Sequence, residues 1–511
     1  DLTEVPFTQI TEANFNPTEA DLAAIIAPAY TNLRWFMSWY GYIDGQGETG
    51  DILLTPVRPN GWYDGGVYIR QHEHKWNDRH GQSNGIFAFA YRGITAVNRI
   101  TYQLESGVVP VEGEARTLIL AELQALRAFY YWYLLDNHGN VAIVTDFTDT
   151  AIPLQSSRQQ VYDFVVAQFT EAIPNLSADS DQTTYGRMNR WAAKAMLART
   201  YLNAEVYTGT PRWQEVLNET QDIIASDEFE LESDYREPFS QDNHNSSELV
   251  FAVPYDAVSG CCSNFHMKTL KPDLRFVIGM VNASPWGGSA SNPQFIDSYD
   301  PDDGRMEDTW MTGPQYDDQG RGYTFVQHVP SITNTDFNNG YPVEKYELYA
   351  GLTGASSVDY PVVRYAEVLM MRAEALLRSG QPDAAAAIVT QVRQRNFTGD
   401  AAGEAVVTGA ELMQGSNYNY GWYDTDGVVK DGPGGTPVTN GGADIQYGRF
   451  LDELGWEFAV EGQRRTQLIR FGVFTTETWF NHMPSASYRS IFPIPSGTME
   501  TNTNYTQNPG Y

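Results

Sequence analysis

Trp62, Trp76 and Trp286 each stand among small and polar residues, in stretches that neither a helical nor a strand period claims. Trp62 lies in Asn60-Gly61-Trp62-Tyr63-Asp64-Gly65-Gly66, Trp76 follows His74-Lys75, and Trp286 lies in Ser284-Pro285-Trp286-Gly287-Gly288. Neighbours this small let an indole stand clear of the surface, and a flat exposed indole suits stacking on the apolar C–H face of a sugar. Half-burying one indole this way contributes on the order of 1–2 kcal/mol at about 25 cal/mol per Å². Asn60, Asp64, Arg70 and Asn282 flank the tryptophans and offer hydrogen bonds to sugar hydroxyls. Glycan binding by these seven residues is the expectation. The competing role for each tryptophan is to pin a long loop onto a core. Trp132, Trp191, Trp213 and Trp456 fall inside helical patterns and are assigned to the core, while Trp310, Trp422 and Trp479 stay unassigned.

Other chemistry is weakly signalled. His72-Glu73-His74 places two imidazoles on one side of an extended segment but lacks the HExxH spacing of a zinc protease, so no metal is assigned there. In Asp300-Pro301-Asp302-Asp303-Gly304 the glycine comes fifth instead of sixth, and Met311 stands where an EF-hand needs its bidentate Glu. No cofactor is expected; loop carboxylates leave room for a structural calcium at a position the spacing does not give. No GxSxG elbow, Walker loop or dinucleotide fingerprint occurs, so no catalytic residue is assigned and a non-enzyme is expected. The 64 acidic residues would nonetheless conceal a glycosidase pair. Cys261 and Cys262 are adjacent and could bridge only through a strained ring, so neither a disulfide framework nor a zinc site follows.

Helical periodicity positions these loops. Apolar residues recur three and four apart over 87–104, 114–135, 191–207, 213–224, 362–378 and 384–395. Thr208-Gly209-Thr210-Pro211 and Ser379-Gly380-Gln381-Pro382-Asp383 turn the chain between the last two pairs, giving two helix–turn–helix units of similar length. Such units suggest a tetratricopeptide-like scaffold. A mainly α, single-domain chain over 1–511 is predicted, with its scaffold chiefly at 83–226, 360–396 and 448–475. Loop-rich insertions at 40–82, 230–355 and 397–447 are long enough to be functional.

A net charge of −31 excludes nucleic acid and anionic lipid as principal partners, and favours a neutral glycan over an acidic one. No apolar run approaches the ~20 residues needed to cross a bilayer. The 31 Tyr and 12 Trp exceed the needs of a core, which puts some rings on the surface.

A series of motifs runs along the chain, beginning with Gly50-Asp51, the 59–66 loop, His74-Lys75-Trp76 and Tyr91 to Asn98. It continues through Ala125 to Tyr131, Gly186 to Asn189, Arg364 to Leu369, Ala373-Glu374-Ala375 and Val392-Arg393. It ends with Glu457-Phe458, Glu461 to Arg465, Leu468 to Gly472, Pro493-Ile494-Pro495 and Gln507 to Tyr511. Taken in order, these motifs resemble the SusD/RagB nutrient-binding lipoproteins of Bacteroidetes. The resemblance implies an α-helical fold of four tetratricopeptide-like helix pairs, with a glycan face near the early loop and the loop preceding Phe295. It also implies a SusC-like TonB-dependent outer-membrane transporter as partner, and a lipid-anchored cysteine just before Asp1 holding the protein at the outer membrane surface. Arg127, Arg364 and Glu461 within the motifs are expected to be buried pairs and caps, not catalytic groups. Capture of polysaccharide for uptake is the function expected, with laminarin, a β-1,3-glucan, as first substrate. Starch-type α-glucan, a glycan hydrolase and a peptide-binding helical-repeat scaffold are the alternatives.

Overall fold

The computed structural model describes residues 18–258, 263–422, 435 and 439–511. Asp1, Cys261 and Cys262 therefore lie outside the described residues. Helices Gly81–Glu105, Gly113–Asn137, Arg158–Ala172, Arg190–Leu202, Trp213–Ile224, Tyr365–Arg378 and Pro382–Arg393 pack each on the next in that order, making a mainly α scaffold. Local chemistry marks their ends. Ser157 and Gln160 form a reciprocal capping box, Asn189 accepts from the Ala192 N–H, and Pro382 opens its helix at a position that needs no N–H. The first two helices touch where Gly93 meets Tyr130; a β-carbon there would lie 2.2 Å from the Tyr130 ring. One cluster of buried apolar side chains runs from Ile26 to Tyr505 and joins the scaffold to the C-terminal helices Gly448–Glu457 and Arg464–Arg470.

Two features depart from the periodicity. Helix Arg158–Ala172 lies within the predicted 83–226 scaffold but in none of the individual periodic runs, although Val161, Val165, Phe169 and Ala172 are buried on one face of it. Residues 362–364 are not helical: Tyr360–Arg364 is a strand paired antiparallel with Leu249–Val253, and the helix begins at Tyr365. Every residue of both strands is buried, and Val362 and Val363 lead straight into the apolar positions of the following helix, so a period does not separate strand from helix there.

The core is also ionic. Arg364 reaches Glu248 (2.7 Å), Glu457 (2.8 Å) and Glu461 (2.8 Å), and Lys345 binds Glu461 at 2.6 Å, all buried. Arg364 and Glu461 are thus the buried pair expected of them. Arg127 instead donates to Gln168 Oε1 and Asn98 Oδ1, neither a carboxylate.

Candidate functional site

A two-residue antiparallel pairing, Leu53–Leu54 against Ala290–Ser291, carries the early loop to the loop that holds Trp286. Arg58, itself buried, fastens the two. Its guanidinium donates to the carbonyls of Gly288 (3.2 Å), Ser289 (3.2 Å), Asn339 (2.9 Å) and Asp336. Trp286 N–H donates to the Met267 carbonyl (2.6 Å) and Gly288 N–H to that of Lys268 (2.7 Å), so the Trp286 loop lies along helix Phe265–Thr269. Trp39 N–H donates to Asn264 Oδ1 (2.8 Å) at the other end of the same short helix.

Three half-buried indoles meet there. The Trp39 ring lies 6.2 Å from Trp62 and 5.9 Å from Trp286, edge to face in both cases. Trp62 Nε1 donates to the Trp286 carbonyl at 3.0 Å, and Asn60 Nδ2 donates to the same oxygen at 2.9 Å. Trp62 has φ 61°, a left-handed backbone that a bulky residue rarely adopts and that costs of order 1–3 kcal/mol. The reciprocal Arg58–Gly61 backbone bonds, both 2.9 Å, help hold it. Gly288 makes room for the indole: a β-carbon there would lie 2.8 Å from Trp62.

Trp62, Trp286 and Asn60 are thus brought together. Asp64 and Arg70 are exposed a few residues after Trp62 in the chain, and Arg70 Nη1 donates to the Gly65 carbonyl at 2.6 Å. Asn282 is exposed with φ 52°, and no hydrogen bond among the described residues ties it to the tryptophans. Trp76 must be corrected. Only 1% exposed, it packs on His74 and Phe492 and donates Nε1 to the Tyr511 hydroxyl at 2.6 Å, so it offers a sugar no face. Its small and polar neighbours reflect the turn that feeds it into the core. Sequence reasoning missed Trp39, although the dense run Trp35-Phe36-Met37-Ser38-Trp39-Tyr40 beside the early loop carried a signal. Tyr63, next to Trp62 in the chain, is 58% exposed.

Beneath the indoles lies a buried charge cluster. Lys268 Nζ binds Asp44 (2.5 Å) and Glu48 (3.1 Å), and stands 4.2 Å from the Tyr68 ring centroid and 5.9 Å from that of Trp62. Burial pushes Asp44 up to about 7, with Glu48 adding to the rise and Lys268 opposing it. His72 and His74 bond to the carbonyls of Phe480 (2.7 Å) and Thr49 (2.8 Å), so both imidazoles serve packing. Asp300, Asp302 and Glu404 bring one carboxylate oxygen each to within 4.8 Å of one another. Exposed acids gather in this way without an ion, and the triplet assigns no metal.

The chain resembles known proteins along most of its length. A model described as "SusD family" matches residues 240–484, and one described as "Starch-binding associating with outer membrane" matches residues 12–202. Together the two matches make this a SusD-like protein. The starch-binding protein SusD of Bacteroides thetaiotaomicron is 25% identical over 447 residues, 76% of this chain and 72% of that protein. A SusD superfamily structure from Parabacteroides distasonis aligns with a TM-score of 0.73 at 19% identity, covering 97% of this SusD-like chain and all of the other. Surface glycan-binding protein A of B. thetaiotaomicron, in complex with laminarihexaose, aligns at 0.71 and 20% identity, covering 96% and 100%. These likenesses carry the SusD-like fold.

Proposed function

We propose that this chain captures a neutral polysaccharide on the Trp39–Trp62–Trp286 platform and delivers it, unchanged, to a SusC-like TonB-dependent transporter. The observation that carries the reading is the meeting of three half-buried indoles, two from the first 62 residues and one from more than 220 residues on, each held by backbone hydrogen bonds or by its neighbour. An open, rigid aromatic surface can stack on a polymer wherever the polymer meets it, whereas a hydrolase must also aim two carboxylates at one bond. Asn60 keeps its carbonyl oxygen for a hydroxyl, and Asp64 and Arg70 extend the polar rim.

The relatives support a glucan: one is named for starch and another holds laminarihexaose. Laminarin is the first substrate proposed and α-glucan the second. No helix among the described residues is long and apolar enough to cross a membrane. A lipid anchor at the outer-membrane surface, rather than a spanning helix in this region, is the attachment proposed. Affinity electrophoresis in laminarin, amylopectin and acidic polysaccharides tests the reading. Retardation in one neutral glucan, abolished in Trp62→Ala/Trp286→Ala, supports it. Release of reducing ends from the bound glucan would sink the non-catalytic part, and no retardation in any gel would sink the whole.

A further inference from the structure

We propose that Phe276, clasped by Arg275 and Arg321, is a second stacking subsite for the same neutral glycan chain, continuing past the Trp286 side of the platform; this rests on the platform reading above. Phe276 is 40% exposed although its short helix, Leu274–Ile278, has a core of its own. Leu274 is buried, and Val277 and Ile278 pack on Leu270, Met311 and Phe325. The apolar face of the helix is therefore satisfied, and Phe276 is the aromatic that it turns toward solvent.

The Arg275 guanidinium carbon lies 4.4 Å from the Phe276 ring centroid and that of Arg321 lies 5.1 Å from it. Arginines held on an aromatic ring extend its flat surface and bring N–H donors beside it, the combination that suits a sugar with apolar faces and many hydroxyl acceptors. Arg321 comes from the hairpin Pro314–Tyr316/Gly322–Thr324, in which Tyr316, 61% exposed, pairs opposite Gly322 and so adds a ring beside it. Asp317 accepts from Arg321 Nε (2.6 Å) and from the Tyr323 hydroxyl (3.3 Å). That carboxylate offsets one of the two guanidinium charges and holds Arg321 in place beside the ring.

Continuity with the platform follows from the backbone. Gly287 N–H donates to the Leu270 carbonyl at 2.9 Å, and Pro272 packs so closely on Gly287 that a β-carbon there would lie 3.0 Å from it. The helix begins two residues after Pro272, and four residues separate the Cα atoms of Pro272 and Phe276 by at most about 14 Å. A polymer leaving Trp286 therefore needs only a short further run to reach Phe276.

The test is calorimetric titration of laminarin and of laminaritriose, in parallel with amylopectin and maltotriose, into the wild-type chain and into Phe276→Ala and Phe276→Leu. The expected result is a loss of about tenfold in affinity for the bound polymer in both variants, with the trisaccharide unchanged. Leucine keeps apolar bulk but not the flat ring. Wild-type affinity for the polymer in both variants, or restoration by Leu alone, overturns the subsite and leaves the platform standing. A wild-type chain that binds neither glucan overturns the platform and this subsite with it.

Discussion

Trp62 donates its indole N–H to the backbone carbonyl of Trp286 at 3.0 Å, across 224 positions of sequence. The bond cross-links the two loops and commits that N–H to the protein, so Trp62 meets a sugar with its ring face. The acceptor belongs to the backbone of Trp286, which makes the two rings unequal under mutation. Trp286→Ala removes one stacking face and leaves the bond. Trp62→Ala removes a face and the bond together.

Glycan affinity should therefore fall about tenfold in Trp286→Ala and further, to about thirtyfold, in Trp62→Ala, with Trp62→Phe between wild type and Trp62→Ala. Titration calorimetry against the glucan retained in gels gives the order directly, and equal losses in both alanine variants would contradict it.

Trp76→Ala should behave in the opposite manner. The ring is buried between His74 and Phe492 and bonded to Tyr511, so its loss should cost about 3–5 kcal/mol of stability. The protein that remains folded should bind glycan as wild type does. Urea unfolding paired with titration in the absence of urea separates the two effects.

Lys268→Met leaves Asp44 and Glu48 buried without their cation, at a cost of about 3–5 kcal/mol near neutral pH. Burial already pushes Asp44 up to about 7 with the lysine present. Without Lys268 the folded state holds protons that the unfolded carboxylates have lost, so the variant loses stability as pH rises from about 5 to 8. Unfolding free energies of variant and wild type should thus converge toward pH 5 and diverge above 7.

Burial holds His74 at about 3 and His80, His138 and His266 at about 4. Each is neutral when folded and takes up a proton when unfolded below its ordinary value of about 6.5. The unfolded state then binds more protons, so this stability is complete above about pH 6.5 and is lost as pH falls toward 4. Asp44 and Asp452, both pushed up to about 7, act with the opposite sign over much of the same range. Asp308, pushed up to about 6, joins the two aspartates, while burial also lowers His72 and His482. Six histidines against three aspartates predict a net fall in melting temperature between pH 7 and pH 4.5, measurable by scanning calorimetry; replacing His138 with a neutral residue that folds should flatten the slope.

Much of the scaffold could be read from order along the chain. Apolar residues three and four apart, with turns at Gly209 and Gly380, placed the helices because that period is a local property of a helix face. Trp62 and Trp286 could be singled out for a similar reason, since runs of Gly, Asn and Asp exclude regular structure around them. Exposure is not local, however. Trp76 looked as free as Trp62, and only the packing of His74, Phe492 and Tyr511 around it showed otherwise. Trp39 passed unnoticed because its role depends on Asn264 and Trp286, which are remote in sequence, and on the fold that turns Trp62 toward it. Residue type and spacing thus determined which side chains were suited to a glycan. Which of them share a surface was decided by the Leu53–Ser291 pairing and the Arg58 clamp, long-range contacts that no local period encodes.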